Sequence, residues 1–143
     1  MISIMKIETC INFLLTQAQI KVNQRFKENL NVCRVTPAQY LMLYHLWETD
    51  GLFPSRLATL SGLDSSTVTG LLTRLEEKGF ITRVHSKGDR RSVLVCLTDE
   101  GRALRNDTDL IIQSSNEEVL SALNDKEQAA LESLLHRMID SLS

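Results

Sequence analysis

Residues 54–98 narrow the folds open to this chain more than any other stretch, because the apolar period changes inside them. Pro54-Ser55 opens a short helical segment with Leu57, Ala58 and Leu60 as its apolar positions, and Gly62 supplies a C-cap. Asp64 or Ser65 caps a second helix that runs to about Lys78 and stops at Gly79. Two short helices joined by a brief glycine-containing turn form a helix-turn-helix. After Gly79 the period drops from that of a helix to that of a strand. In Phe80-Ile81-Thr82-Arg83-Val84-His85, one face holds Phe80, Thr82 and Val84. Lys87-Gly88-Asp89 signals a turn, and residues 92–98 resume as a β-branched strand through Val93 and Val95. A basic-tipped β-hairpin therefore follows the two helices.

The flanks are helical. Residues 4–30 read as one helix, with Ile4, Ile7, Ile11, Leu14, Leu15, Ala18 and Val22 spaced by threes and fours. Thr36-Pro37 starts the next, which Tyr40, Leu41, Leu43, Tyr44, Leu46 and Trp47 make apolar on most sides and Asp50-Gly51 ends. Leu52 and Phe53 leave room only for a minimal strand. Thr98 caps a helix to about residue 123, and Asn124 or Asp125 caps a last one striped by Leu131, Leu134, Leu135, Met138, Ile139 and Leu142. The predicted fold is mainly α with a small antiparallel β-hairpin wing. In it, a winged helix-turn-helix (residues 36–98) sits between long N- and C-terminal dimerisation helices (residues 1–35 and 99–143). The outer stripes carry more apolar surface than a small winged-helix core needs, and a two-fold homodimer buries such a patch on both chains.

Composition excludes several classes. With 143 residues, 43% hydrophobic and 24% charged, the chain is one ordinary globular domain. Lys plus Arg number 16 against 18 for Asp plus Glu, which excludes a histone-like polycation. The charge is uneven: residues 51–98 hold 7 basic and 4 acidic side chains, residues 99–143 hold 4 and 10. No apolar run is long enough to cross a bilayer, and the N-terminus, with Glu8 and no basic n-region, predicts no secretory signal. Cys10, Cys33 and Cys96 form no CxxC, which argues against a disulfide scaffold or a zinc ribbon and for a cytoplasmic protein. His45, His85 and His136 lie on separate elements and no glycine-rich phosphate loop is present. No catalytic site, metal or cofactor is expected.

The second helix of the pair suggests a polyanion partner. At about 100° per residue, Val68, Leu71, Leu72 and Leu75 fall on one side. Opposite them lie Ser66, Gly70 and Thr73, flanked by Thr69 and Arg74, with Ser65 and Thr67 near the N-terminus. Such small hydroxyl-bearing residues can enter a major groove about 12 Å wide. A merely solvated helix would carry more Glu and Lys here, since Ser, Thr and Gly are poorer helix formers. At the hairpin tip, Lys87, Arg90 and Arg91 can follow the backbone into the minor groove, with Asp89 pairing to Arg91 and fixing its direction. Thr36, at a helix N-terminus, can meet a phosphate.

The run Leu63-Asp64-Ser65-Ser66-Thr67-Val68-Thr69, then Leu72, Arg74-Leu75-Glu76 and Gly79-Phe80-Ile81-Thr82-Arg83, resembles the multiple-antibiotic-resistance regulator (MarR) family. So do Asp89-Arg90-Arg91-Ser92, Val95, Leu97-Thr98 and Gly101 in the wing and the junction after it. The resemblance extends over essentially the whole chain. It implies a homodimeric winged-helix transcription regulator, usually a repressor, with the wing motif on Asp89 and Arg91. It also implies release from a pseudo-palindromic double-stranded operator by a small aromatic or phenolic effector. Phe13, Tyr40, Tyr44, His45 and Trp47 could line the pocket, although each is equally at home in a core. Some relatives sense peroxides through a first-helix cysteine with tyrosine partners. Here Asn12 stands where that thiol is expected and Phe26 where a tyrosine would be, which leaves Cys10 on the first helix and Cys33, beside Arg34, as redox alternatives. A winged-helix module that binds protein rather than DNA is the third alternative, against which the Ser/Thr face and the arginine wing argue.

Overall fold

Thr36 and Pro37 begin a helix by purely local means: the Thr36 hydroxyl accepts from the Gln39 N–H at 3.2 Å, the Gln39 side chain accepts from the Thr36 N–H at 3.1 Å, and Pro37 occupies the first turn. The computed structural model describes residues 4–85, 88 and 92–143. Its order is α1 (Ile11–Leu30), α2 (Pro37–Glu48), α3 (Pro54–Ser61), α4 (Ser65–Glu77), β1 (Ile81–His85), β2 (Val93–Leu97), α5 (Asp99–Val119) and α6 (Asp125–Ser141). The chain is mainly helical with one small antiparallel sheet, as the period change implies.

The core lies between Leu30 and Leu97. Met42, Leu43 and Leu46 of α2, Leu57 of α3, and Val68, Leu71, Leu72 and Leu75 of α4 meet Phe80, Ile81, Val95 and Leu97 at the base of the hairpin. β1 pairs with β2 in the register Ile81 to Leu97 and Arg83 to Val95, and Leu52 adds a single bridge to Val95, the minimal strand expected of it. Gly62 and Gly79, at φ 72° and 82°, end α3 and α4 in the left-handed conformation that a Cβ disfavours.

Gly101 is needed for space instead. It sits in the first turn of α5, where an added Cβ would lie 2.0 Å from the Phe80 carbonyl oxygen. Thr98 completes this junction: its hydroxyl donates to the Gly79 carbonyl at 2.6 Å and accepts from the Gly101 N–H at 3.1 Å. Asp50 joins three elements, accepting from the Leu97 N–H at 2.8 Å and from Arg102 at 3.2 Å. The hairpin is thereby held by its base.

Three local expectations need correction. Residues 4–30 are not one helix: Ile7–Thr9 form a separate 3-10 turn, and Cys10, extended at ψ 118°, interrupts the path before α1. α5 ends at Val119 rather than near residue 123, where Leu120 leaves helical geometry. In β1 the inward side chains are Ile81 and Arg83, while Thr82 and Val84 point outward. Phe80 is buried too, but it precedes the strand and so does not set its phase.

The outer helices are unlike the core. α1 meets α5 through polar groups: the Asn29 amide donates to the fully buried Ser115 hydroxyl at 2.9 Å, and Arg25 pairs with Glu118 at 3.0 Å. α6 has no buried residue. Among the described residues, no helix is long and apolar enough to cross a membrane.

Candidate nucleic-acid interface

The α4 helix is oriented by its apolar side. Val68, Leu71, Leu72 and Leu75 are all buried, which turns Ser66, Thr69, Gly70 and Thr73 outward. Ser65, Ser66, Thr67, Thr69, Thr73 and Arg74 are all exposed, and Gly70 has nothing within 4 Å of an added Cβ. Among the described residues no neighbour requires this mid-helix glycine, although glycine costs a helix interior roughly 1 kcal/mol relative to alanine.

Hydrogen bonds tie down the hydroxyls on this face. Ser66 donates to Asp64 Oδ1 at 2.8 Å, Thr69 to the Ser65 carbonyl at 2.9 Å and Thr73 to the Thr69 carbonyl at 3.0 Å. Asp64 also accepts from the Thr67 N–H at 2.8 Å as the helix N-cap. That N–H, and after it the Ser66 hydroxyl, hold the Asp64 carboxyl below its usual pKa, so it is ionised at neutral pH.

Sequence reasoning passed over several groups here. Arg83 enters the sequence analysis only as part of the strand and of the family motif. It lies on the inward side of β1, donates from Nη2 to the Thr73 hydroxyl at 3.2 Å and approaches Glu76 at 3.9 Å, connecting the wing to α4. Alternation places it there only with Ile81, and not the equally buried Phe80, as the inward reference. Asp64 was read as a cap alone, yet its carboxylate is fully exposed at the leading end of α4. Arg56 on α3 is an exposed cation which, like Arg74, pairs with no acid among the described residues.

Thr36 is half-buried, its hydroxyl oxygen and N–H both used in the cap. It borders a recess of about 260 Å³ lined also by Lys27, Asn31, Arg34, Val35 and Lys78. Lys78 Nζ donates to the Arg34 carbonyl at 2.6 Å and to Gln39 Oε1 at 2.8 Å. Burial, and then the charges of Arg34 and Arg74, pull its pKa down. Lys87, Asp89, Arg90 and Arg91, including the expected pair between Asp89 and Arg91, lie outside the described residues.

Four of the five expected pocket residues come together on α2. Tyr40 lies 6.4 Å from Tyr44 and 5.9 Å from Trp47, and Tyr44 lies 5.4 Å from His45, ring centre to ring centre. Trp47 Nε1 donates to the Gly101 carbonyl at 2.9 Å, and the Tyr40 hydroxyl donates to Asp109 at 3.4 Å, so both also brace α2 against α5. Burial, then the Asp109 charge, raises the Tyr40 pKa; burial lowers that of His45, whose Nε2 has no hydrogen-bond partner among the described residues. Phe13 stands apart on α1. An apolar groove of about 680 Å³ between α1, the end of α5 and α6 includes none of the five.

The cysteine expectation changes in one respect. Cys33 is buried, and burial followed by the nearby Asp107 charge raises its pKa, the opposite of the electropositive setting expected from Arg34. Cys10 is partly exposed at the start of α1. Among the described residues, no group of three His, Cys, Asp or Glu side chains is placed to hold a metal.

Known proteins share this arrangement. The MarR family model matches residues 35–93. The organic hydroperoxide resistance transcriptional regulator of Bacillus subtilis (strain 168) is 39% identical over 101 residues, covering 71% of this chain and 69% of that protein. A mutant of MarR from E. coli, solved in complex with operator DNA, superposes with a TM-score of 0.82 at 28% identity, covering 90% of this chain and 92% of that one. The Bordetella bronchiseptica protein BpsR, solved to explain regulation of its DNA binding by 6-hydroxynicotinic acid, superposes with a TM-score of 0.88 at 26% identity, covering 96% and 99%.

Proposed function

The chain belongs to the MarR family of transcriptional regulators, and on that premise we propose that it binds a pseudo-palindromic duplex operator as a homodimeric repressor in the cytoplasm. The observation that carries this reading is the outward face of α4. It consists of small hydroxyl-bearing side chains around a glycine that no packing among the described residues requires. A backbone that must approach another molecule closely explains such a glycine. Ser65, Ser66, Thr67, Thr69, Thr73 and Arg74 enter the major groove or touch its flanking phosphates. Arg56 and Thr36 meet the backbone, and Lys87, Arg90 and Arg91, with Asp89, form the wing contact.

Residues 1–35 and 99–143 form the dimer. Ile11, Leu14 and Leu15 of α1 and Leu131, Leu134 and Ile139 of α6 are exposed, and burying each is worth roughly 1.5–3 kcal/mol. A second copy filling the groove between α1, α5 and α6 removes them from water and sets two α4 helices about 34 Å apart, one turn of duplex. The likeness to BpsR and the aromatic cluster of Tyr40, Tyr44, His45 and Trp47 support release by a small aromatic effector.

Selection of bound duplexes from a random pool tests the reading. The expected result is an inverted repeat with half-site centres about 10 base pairs apart, bound more weakly as salt rises. Failure to enrich any sequence, or affinity insensitive to salt, would overturn it.

A further inference from the structure

We propose that α4 reads its half-site as a hydrogen-bond acceptor: Thr69, with Asp64 and Ser66 beside it, receives hydrogen bonds from the amino groups of adenine or cytosine. The inference rests on the duplex-binding reading above and specifies its base chemistry.

The positions of the hydroxyl protons decide what this face can offer a base. A hydroxyl has one proton to donate and two lone pairs to accept with. Thr69 Oγ1 lies 2.9 Å from the Ser65 carbonyl oxygen and Thr73 Oγ1 3.0 Å from that of Thr69. A carbonyl has no proton, so both hydroxyls donate inward along the helix. Ser66 lies 2.8 Å from Asp64 Oδ1, an ionised carboxylate that can only accept, so its proton is committed too. What these groups offer outward is lone pairs and, for threonine, a methyl group. Thr73 offers less, because Arg83 already donates to it at 3.2 Å. Glu77, exposed two turns after Gly70 on the same face, is another acceptor. Among these α4 side chains the one cation is Arg74, on the flank, and Arg83 reaches Thr73 from β1.

In the major groove, adenine presents an amino donor at N6 and cytosine one at N4, whereas guanine N7 and O6 and thymine O4 are acceptors. A face of lone pairs matches the first two and opposes the others. Thymine remains tolerable through contact between its methyl group and that of threonine. A hydroxyl could rotate to donate outward only by giving up its bond to the helix. That sets the preference per position at roughly five- to ten-fold, the net worth of one such hydrogen bond.

The test uses the full chain and its selected duplex, with fluorescence anisotropy as the readout. Each adenine of the half-site is replaced singly by the purine nucleoside, and each cytosine by the pyrimidinone nucleoside, so that only the amino group is lost. At one position at least, the replacement should weaken the wild type five- to ten-fold. The same replacement should cost Thr69→Val, which keeps the shape but not the lone pairs, less than two-fold, and Thr69→Ser should behave as the wild type. Thermal melting confirms that both variants fold. If every replacement costs the wild type less than two-fold while the natural site binds tightly, the inference is overturned and duplex binding stands. An amino-group penalty undiminished in Thr69→Val overturns the role of Thr69. Absence of any duplex binding overturns the preceding reading, and this one with it.

Discussion

Helices α4 and α6 both start on a side-chain cap, Asp64 and Asn124, and both carry apolar residues at threes and fours. α4 sinks its stripe into the chain's own core and shows water a face of hydroxyls and one glycine. α6 has no fully buried residue and leaves Leu134 at 56% and Ile139 at 60% exposure. An isolated helix of 17 residues with an uncovered apolar face is marginal in water. The two exposed faces therefore call for different partners: the hydroxyl face fits a polar, grooved surface that comes close to the backbone, and the apolar one fits a surface like itself.

The largest effect expected comes from giving α6 the wrong chemistry. Leu134→Glu touches little within the chain but sets a charge in the proposed interface, where burying it unpaired is costly. Sedimentation at micromolar concentration should show monomers, and affinity for a two-half-site duplex should fall more than 100-fold. An intact dimer with unchanged affinity would remove α6 from the interface.

Gly70→Ala makes the opposite change on α4, filling space that the chain leaves open. Helix propensity alone raises stability by about 1 kcal/mol, a few degrees in Tm at fixed protein concentration. Duplex affinity should nevertheless fall at least five-fold. A gain in both stability and affinity would show that no molecule approaches closely at this point.

The smallest effect separates the two caps. Asp64 titrates and Asn124 does not. The folded-state pKa of Asp64 is depressed below its ordinary value of 3.8, so the stability it contributes is present above that value and is lost as pH falls through the lower folded one. Asp64→Asn keeps a capping side chain without the titration. Below about pH 4, the melting temperature of the wild type should therefore drop more steeply than that of the variant. Parallel curves would show that the charge of the cap contributes nothing.

Much of this was legible in the chain because it is local. Thr36-Pro37, Gly62, Thr98 and Asn124 mark helix ends through contacts within a few residues, and the change of period after Gly79 marks the hairpin. The outward face of α4 was legible too, since four leucine and valine positions fix its rotation. The break at Cys10 was not: the apolar spacing runs through it, and only the backbone turns aside. Nor was the phase of β1, where Phe80 packs inward from just outside the strand and Arg83 takes an inward place to reach Thr73. Cys33 differs for the same reason: Arg34 is next in sequence, but burial by the fold, and then the charge of Asp107, sets the thiol's environment.

By itself, then, the order of residues determined the elements, their caps and which side of each helix is apolar, because these depend on interactions among neighbours along the chain. The tertiary structure alone decided which apolar sides are covered, that Phe80 leaves room at position 101 only for glycine, and that Asp50 meets the Leu97 N–H and Arg102. Those outcomes depend on distances between atoms far apart in sequence, which no local pattern encodes.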